Sequence, residues 1–294
     1  MKKVRYLRLP ILTLAFVALT NSVIPKEATA TTVAQAFPSQ AIEIPVPLPE
    51  NPVSSGVCQA FLQPTLETIL SRPSLRGGQW GIVVESLKDG TVLYSHNADK
   101  SLVPASNVKL LTTAAALLLK EPQSPFLSTS LGNWIYTTNI HSNNQYADTL
   151  LRSLGGATTV KATLAPLGVS PNGFRQVDGS GLSRQNTATP RTLTTLLRGM
   201  YGSNNWDAFY SSLPVAGESG TLRNRFRASP VQGKVRAKTG TLRGVRALSG
   251  YLDHPEYGTL IFSILANSPQ HSGQVLVSTI DEIVLRLAQL NSCS

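Results

Sequence analysis

Pro104-Ala105-Ser106-Asn107-Val108-Lys109-Leu110-Leu111-Thr112-Thr113-Ala114-Ala115-Ala116-Leu117-Leu118-Leu119 is the stretch on which the reading of this chain turns. From Val108 onward it is an almost unbroken run of Leu, Ala and Thr. Such a run is apolar on every face, so it predicts a central buried helix over residues 108–119, not a surface one. Ser106 stands at the start of that helix and Lys109 three residues further on. Residues three apart share a helix face, so the two side chains project toward one cleft. No other lysine in the chain has a serine three places before it.

Elements on either side give the architecture. A helix is predicted over residues 58–70, followed by a strand pair over 80–85 and 91–94 across Asp89-Gly90, a strong hairpin signal. After the central helix come a helix over 144–154 ending at Gly155-Gly156, a glycine-rich loop over 177–183 and a helix over 190–201. Strands over 241–252 and 258–266, joined at His254-Pro255-Glu256, and an amphipathic helix over 274–290 close the chain. This order is α+β, with no internal repeat.

Two further motifs lie downstream of Ser106-Asn107-Val108-Lys109. Ser142-Asn143-Asn144 is a Ser-x-Asn, a pattern that Ser95-His96-Asn97, Ser170-Pro171-Asn172 and Ser203-Asn204-Asn205 also fit, and Lys238-Thr239-Gly240 lies just ahead of a predicted strand. Together, Ser-x-x-Lys, Ser-x-Asn and Lys-Thr-Gly in this order are the motif set of serine acyl-transfer clefts. Acyl transfer from an amide needs a nucleophile, a base, an acid for the leaving amine and donors for the oxyanion. Ser106 supplies the nucleophile. Lys109 is the candidate base, provided that burial and a neighbouring cation such as Lys238 bring it below its free pKa. Ser142 bridges the two lysines and passes a proton to the departing nitrogen, while Asn144 holds a substrate amide or orients Lys109. Lys238 with Thr239 or Thr241, next to Gly240, binds a substrate carboxylate. The expected oxyanion donors are the N–H groups of Ser106 and Thr241. Each motif also has a plainer reading: Ser106 as a helix cap, Asn143-Asn144 as a capped turn, Lys238 as a solvated charge. Their order and setting favour the joint one.

The ends of the chain speak to location. Lys2, Lys3, Arg5 and Arg8 precede the mostly apolar residues 9–19, and Ala28-Thr29-Ala30 offers a small-residue cleavage site. This predicts an export signal over residues 1–30; the apolar run is shorter than the roughly 20 residues that a membrane anchor needs. Removing it takes five basic residues and one acidic one, so the formal charge falls from +10 to +6. A basic exported chain suits a polyanionic wall or membrane surface better than nucleic acid. Residues 31–56, rich in Pro, Ala, Thr and Ser, read as an extended linker, leaving 57–294 as one catalytic domain. Cys58 and Cys293 are the only cysteines; an oxidising compartment permits a disulfide between them, with two free thiols as the alternative. Two cysteines and four scattered histidines do not suggest a metal site, and no cofactor is expected.

The motifs and their surroundings resemble the class C low-molecular-mass penicillin-binding proteins, the DacB-like D-alanyl-D-alanine carboxypeptidase and endopeptidase family. Beyond the three motifs, the resemblance rests on Gln145-Tyr146-Ala147-Asp148 running into Leu150-Leu151 and on Asp178-Gly179-Ser180-Gly181-Leu182-Ser183-Arg184. Leu213-Pro214-Val215-Ala216-Gly217, Gly220-Thr221-Leu222 and Gly233-Lys234-Val235 add to it, so that it spans roughly residues 58–290. It selects Ser142 among the Ser-x-Asn matches. It implies an antiparallel sheet flanked by helices with a helical subdomain, the fold of penicillin-binding proteins and serine β-lactamases. It implies Ser106 as the acyl-ester nucleophile, Lys109 as proton acceptor, Ser142 and Asn144 as the second motif and Lys238 as carboxylate anchor. The implied partners are peptidoglycan stem peptides ending in D-alanyl-D-alanine, or D-alanyl crosslinks, and β-lactams; the implied location is the periplasm or cell wall. The family's first and last helices pack together, which would bring Cys58 and Cys293 within reach of each other.

One departure stands out: only 36 positions separate Ser106 from Ser142, whereas family members usually carry large extra domains there. Residues 120–135 must bridge that excision. A wall-binding homologue with an impaired cleft is therefore one alternative. A β-lactamase is another, although no glutamate occurs between Glu121 and Glu218 to activate a deacylating water in the class A manner.

Overall fold

The computed structural model describes residues 57–119 and 131–291; the expected signal, the linker, most of the bridge and Cys293 lie outside them. The described part opens with a short strand, β1 (Val57–Cys58), and helix α1 (Gln59–Leu70), which buries Leu62, Leu66 and Ile69 at helical spacing. Strands β2 (Gln79–Ser86) and β3 (Val92–His96) form the expected hairpin, with Gly90 at φ +75° in its turn. One turn of 3-10 helix (Ala105–Asn107) leads into α2 (Val108–Leu118), in which every residue from Val108 to Leu117 is buried. The all-apolar sequence is thus a central helix. Against it pack α3 (Leu131–Ile140), α4 (Asn144–Ser153) and α5 (Ala157–Leu164), of which only α4 was foreseen.

Two short strands, β4 (Phe174–Arg175) and β5 (Thr187–Ala188), bracket the glycine-rich loop. Helix α6 (Pro190–Tyr201) begins where its sequence says it should: Pro190 is the first helical residue, and the Thr189 hydroxyl accepts from Thr192 N–H at 3.0 Å. After α7 (Trp206–Ser211) come β6 (Val235–Leu242), β7 (Val245–His254) and β8 (Gly258–Asn267). Helix α8 (Gly273–Leu287) and β9 (Leu290–Asn291) follow.

The expected strand over 241–252 needs correction. A turn at Arg243-Gly244, with Gly244 at φ +69°, divides it between β6 and β7. Lys238-Thr239-Gly240 therefore lies within a strand and not ahead of one. Its alternation was hidden because the position that faces the core carries Lys238, which is fully buried like an apolar residue. The final helix also stops earlier than expected, because Leu290 and Asn291 leave it to pair in parallel with Val57 and Cys58. Cys58 is disulfide-bonded.

The sheet runs β3-β2-β8-β7-β6, antiparallel throughout, with β6 at one edge. Its faces bury separate cores. Ala247, Tyr251, Ile261 and Leu265 pack against the helical side built on α2 and α6. Ile82, Val84, Leu248, Leu252, Phe262 and Ile264 pack against α1 and α8. The start of α2 meets the β6 edge, so a cleft opens where the helical side, the edge strand and the glycine-rich loop converge.

Candidate active site

Backbone packing sets the position of Ser106 before any polar contact does. Ala105 takes φ +48°, an uncommon value for a residue with a Cβ. Glycines press on the turn from two directions: a Cβ on Gly181 would come within 2.1 Å of Ala105 O, and one on Gly240 within 2.6 Å of Pro104 O. Only bare backbone permits these approaches. Beneath the turn, Asn107 Nδ2 donates to Ser249 Oγ at 2.8 Å, and Ser249 Oγ donates to Ser263 Oγ at 2.9 Å, tying the start of α2 to the sheet.

Lys109 is fully buried, with its ammonium group donating to Ser106 Oγ at 3.0 Å and to Asn144 Oδ1 at 2.8 Å. The Ser180 carbonyl is its third acceptor. Of the two roles expected of Asn144, the structure thus realises the orientation of Lys109. Ser180 is held by a carboxylate: Asp148 Oδ1 accepts from Gly179 N–H at 2.9 Å and Ser180 N–H at 2.8 Å. Asp178 completes the loop, accepting from Gly181 N–H at 2.6 Å, Ser183 N–H at 2.7 Å and Asn186 Nδ2 at 2.8 Å. Burial lowers the Lys109 pKa to about 8, while the charges of Asp148 and Asp178 hold it up.

Lys238 enters from β6 and is also fully buried, which rules out the reading of a solvated charge. Its Nζ donates to Ser142 Oγ at 2.9 Å and to Thr239 O at 3.1 Å. Burial first, and then the Lys109 charge, push its pKa well below the usual lysine value. Ser142, at φ +54°, precedes the Asn143 cap of α4, whose Oδ1 accepts from Tyr146 N–H at 3.0 Å. The expected bridge by Ser142 is direct on the Lys238 side only; on the other side Lys109 meets Asn144. Of the two causes expected to depress Lys109, burial is the one that acts there, and the cation effect falls on Lys238.

Ser106, Ser142, Asn144, Thr239, Gly240 and Thr241 line one cleft of about 350 Å³. All three motifs thus converge, with Ser142 of the second in contact with Lys238 of the third. Asp148 and Asp178 were quoted for resemblance but given no role. Asp148 was within reach of a positional argument, since it lies four residues after Asn144 on the same helical face. Thr221, quoted for resemblance but given no role, lies with its Oγ1 2.8 Å from Thr239 Oγ1, while Arg225 and Arg246, which also line the cleft, carried no local signal. Among the described residues, no group of three His, Cys, Asp or Glu side chains could hold a metal ion.

A serine hydroxyl bonded to a buried lysine, faced by a second serine–lysine pair at a sheet edge, is the arrangement of a serine acyl-transfer cleft. The family model for D-Ala-D-Ala carboxypeptidase 3 (S13) matches residues 62–133 and 125–290, and the chain belongs to that family. The break between the two matched segments falls between the first and second motifs, as a shortened member requires.

The chain is 46% identical over 165 residues to a D-alanyl-D-alanine carboxypeptidase of Actinomadura sp. (strain R39), covering 50% of this chain and 30% of that protein. It is 35% identical over 183 residues to penicillin-sensitive carboxypeptidase A of Dictyostelium discoideum, covering 55% and 35% respectively. It therefore spans about a third of the length of these curated relatives. Among solved structures it is similar to penicillin binding protein 4 (dacB) of Haemophilus influenzae, with a TM-score of 0.66 at 14% identity over 76% of this chain and 99% of that one. The TLA-1 extended spectrum β-lactamase gives 0.65 at 19% identity over 78% and 97%. These likenesses show the fold, an antiparallel sheet with helices common to penicillin-binding proteins and serine β-lactamases.

Proposed function

We propose that this chain is a serine-type D-alanyl-D-alanine carboxypeptidase that cleaves peptidoglycan stem peptides through an acyl-enzyme on Ser106 and is acylated by β-lactams. The observation that carries this reading is the 3.0 Å contact between Lys109 Nζ and Ser106 Oγ, made by a lysine whose pKa is brought to about 8. A base poised near neutral pH is what removal of a hydroxyl proton requires.

In the reaction, Ser106 Oγ attacks the carbonyl carbon of the penultimate D-alanine while its proton passes to Lys109. The N–H groups of Ser106 and Thr241 stabilise the oxyanion. Collapse breaks the C–N bond, the departing nitrogen takes a proton through Ser142, and D-alanine leaves. Water then hydrolyses the ester on Ser106 with Lys109 again as base. The terminal carboxylate of the substrate sits at Thr239 and Thr241, near Lys238. Cleavage of a D-alanyl crosslink follows the same steps with a larger leaving amine. The basic, apolar and small-residue pattern of residues 1–30 supports export to the periplasm or cell wall, where this substrate is found.

Intact-mass spectrometry of the exported protein, with and without benzylpenicillin, tests the reading. We expect one stoichiometric adduct on the Ser106 peptide, lost in Ser106→Ala, together with release of D-alanine from an N-acyl-D-Ala-D-Ala peptide. No adduct at saturating benzylpenicillin would overturn it, and rapid turnover of the drug would point to a β-lactamase.

A further inference from the structure

Charge is spread unevenly along this chain. From Ser219 to Leu252 there are eight basic residues and no acidic one. Residues 31–294 carry +6 in all, so everything outside this segment is left at −2. The segment comprises the loop before β6, β6 itself and most of β7, and it forms one wall of the cleft. Gathering like charges costs self-repulsion. Four of the eight are spent within the fold: Lys238 on Ser142, Arg225 on Asp281, Arg236 over the Tyr210 ring at 4.8 Å and Arg246 on the Leu242 and Val245 carbonyls. Arg223, Arg227 and Arg243 are exposed, and none of them makes an ion pair among the described residues.

The loop that carries Arg223 and Arg227 is pinned at several points. Phe226 at φ +64° and Ala228 at φ +51° hold left-handed backbone that residues with a Cβ rarely adopt. Phe226 is buried in the core beneath α8, and Arg225 beside it pairs with Asp281 of that helix. Ser229 Oγ donates to Phe226 O and Ala228 N–H donates to Gln232 Oε1, each at 2.7 Å, while Arg227 Nε donates to Arg223 O at 3.0 Å. Strain of this kind persists only where surrounding contacts impose it, and it gathers at functional surfaces. Here it turns Arg225 and Phe226 inward and leaves Arg223 and Arg227 outside. The other cations follow the cleft. Arg225 and Arg246 line it, and burial and then the Arg225 charge lower the Arg246 pKa. Past the end of β6, Arg184 Nη2 donates to the Arg243 carbonyl. None of the large apolar side chains exposed on the described residues lies between 219 and 252. The wall therefore has neither an apolar anchor for a lipid surface nor an aromatic platform for nucleic-acid bases.

We propose that this wall is a docking surface for the anionic strand that carries the substrate: Arg223, Arg227 and Arg243 bind carboxylates of neighbouring stem peptides while one stem occupies the cleft. This inference rests on the carboxypeptidase reading and extends it from the stem peptide to the polymer. Every stem that ends in D-alanyl-D-alanine bears a free terminal carboxylate. A strand with several stems therefore presents anions at intervals, whereas a single short peptide presents none beyond the one in the cleft. Exposed arginines match carboxylates with their planar fork. Beside a cleft they raise the rate of encounter and hold the strand between turnovers, through an attraction that salt screens.

The test compares kcat/KM for D-alanine release from uncrosslinked glycan strands with pentapeptide stems, counted per stem, and from an N-acyl-D-Ala-D-Ala peptide. Each is measured at low salt and at about 0.5 M salt, where the Debye length is only a few ångströms. Wild type should favour the strands at low salt and lose most of that preference at high salt. The double variant Arg223→Gln/Arg227→Gln should lower the strand value about fivefold at low salt and leave the small peptide unchanged. Arg223→Lys/Arg227→Lys, which keeps the charge, should stay near wild type. A stoichiometric benzylpenicillin adduct shows that each variant retains a folded, competent cleft; should the Gln pair fail this check, Arg243→Gln decides in its place. Equal losses on both substrates, or a strand preference that salt does not weaken, overturn the docking surface and leave the carboxypeptidase reading intact. So does cosedimentation with vesicles of anionic lipid that the Gln pair abolishes while its strand kinetics stay unchanged, which assigns the wall to a membrane. A wild type that forms no adduct and releases no D-alanine from either substrate overturns the carboxypeptidase reading, and the docking surface with it.

Discussion

Lys109 and Lys238 are both shut off from solvent at the same cleft, Lys238 the deeper of the two, and their surroundings also differ in what faces the charge. Around Lys109, two carboxylates at one remove hold the ammonium form up against the cost of burial, so that it titrates near 8. Around Lys238 no carboxylate among the described residues has this role, and the charge of Lys109 pushes its pKa down further. Two cations in one low-dielectric cleft repel each other, and the effect is felt at Lys238. A carboxylate arriving beside Lys238 favours the proton there. On the carboxypeptidase reading, this difference leaves Lys109 able to exchange a proton near neutral pH and Lys238 able to gain charge from an arriving carboxylate.

The largest effect should come from removing the proposed base. Lys109→Met keeps the length of the stem but has no nitrogen to take the Ser106 proton, and acylation by benzylpenicillin should slow about a thousandfold. Timed intact-mass measurements give the rate, and a thermal melt shows that the variant folds. A loss of less than about tenfold would assign the base elsewhere and remove one side of the comparison.

A subtler change tests why Lys109 titrates where it does. Asp148→Asn retains an oxygen to accept from Gly179 and Ser180 N–H but loses the charge. That charge raises the Lys109 pKa, so its removal lowers it. The base form is the deprotonated one, so acylation rises with pH through the Lys109 pKa. In wild type this ascending limb should lie near pH 8, and in Asp148→Asn it should move to lower pH. A limb that stays in place or moves upward would mean that the carboxylates fix the loop without tuning the lysine.

Much of this was legible in sequence. Local chemistry marked the start of α6, because Thr189 and Pro190 act on their own neighbours. The all-apolar run from Val108 marked α2 as central, because a helix with no polar face has to be covered. The strand carrying Lys238 was misread because period-2 reasoning counts a lysine as solvent-facing, whereas here its partner is a serine 96 positions away. The tuning of Lys109 was illegible for the same kind of reason: Asp148 acts through backbone N–H groups 31 and 32 positions further on. Arg246 gave no sign, since its setting depends on the packing of β7 against the start of α8.

The smallest expected effect probes what the two lysines share. Lys238, Ser249 and Ser263 lie in one row across β6, β7 and β8, and Ser249 accepts from Asn107 at the start of α2. Ser249→Ala leaves the fully buried Asn107 amide without its acceptor, which costs about 1–2 kcal/mol. For a folded unit of this size that is a fall in melting temperature of about 2–6 °C. Lys109 keeps its contacts with Ser106, Asn144 and Ser180, none of which passes through Ser249. Acylation by benzylpenicillin should therefore stay within a few-fold of wild type, and the melt should carry the whole change. If the acylation rate instead fell with the melting temperature, the sheet would be setting the Ser106–Lys109 distance through Asn107. The two neighbourhoods would then be one mechanical unit, with the glycine contacts at Ala105 and Pro104 insufficient to hold the nucleophile in place.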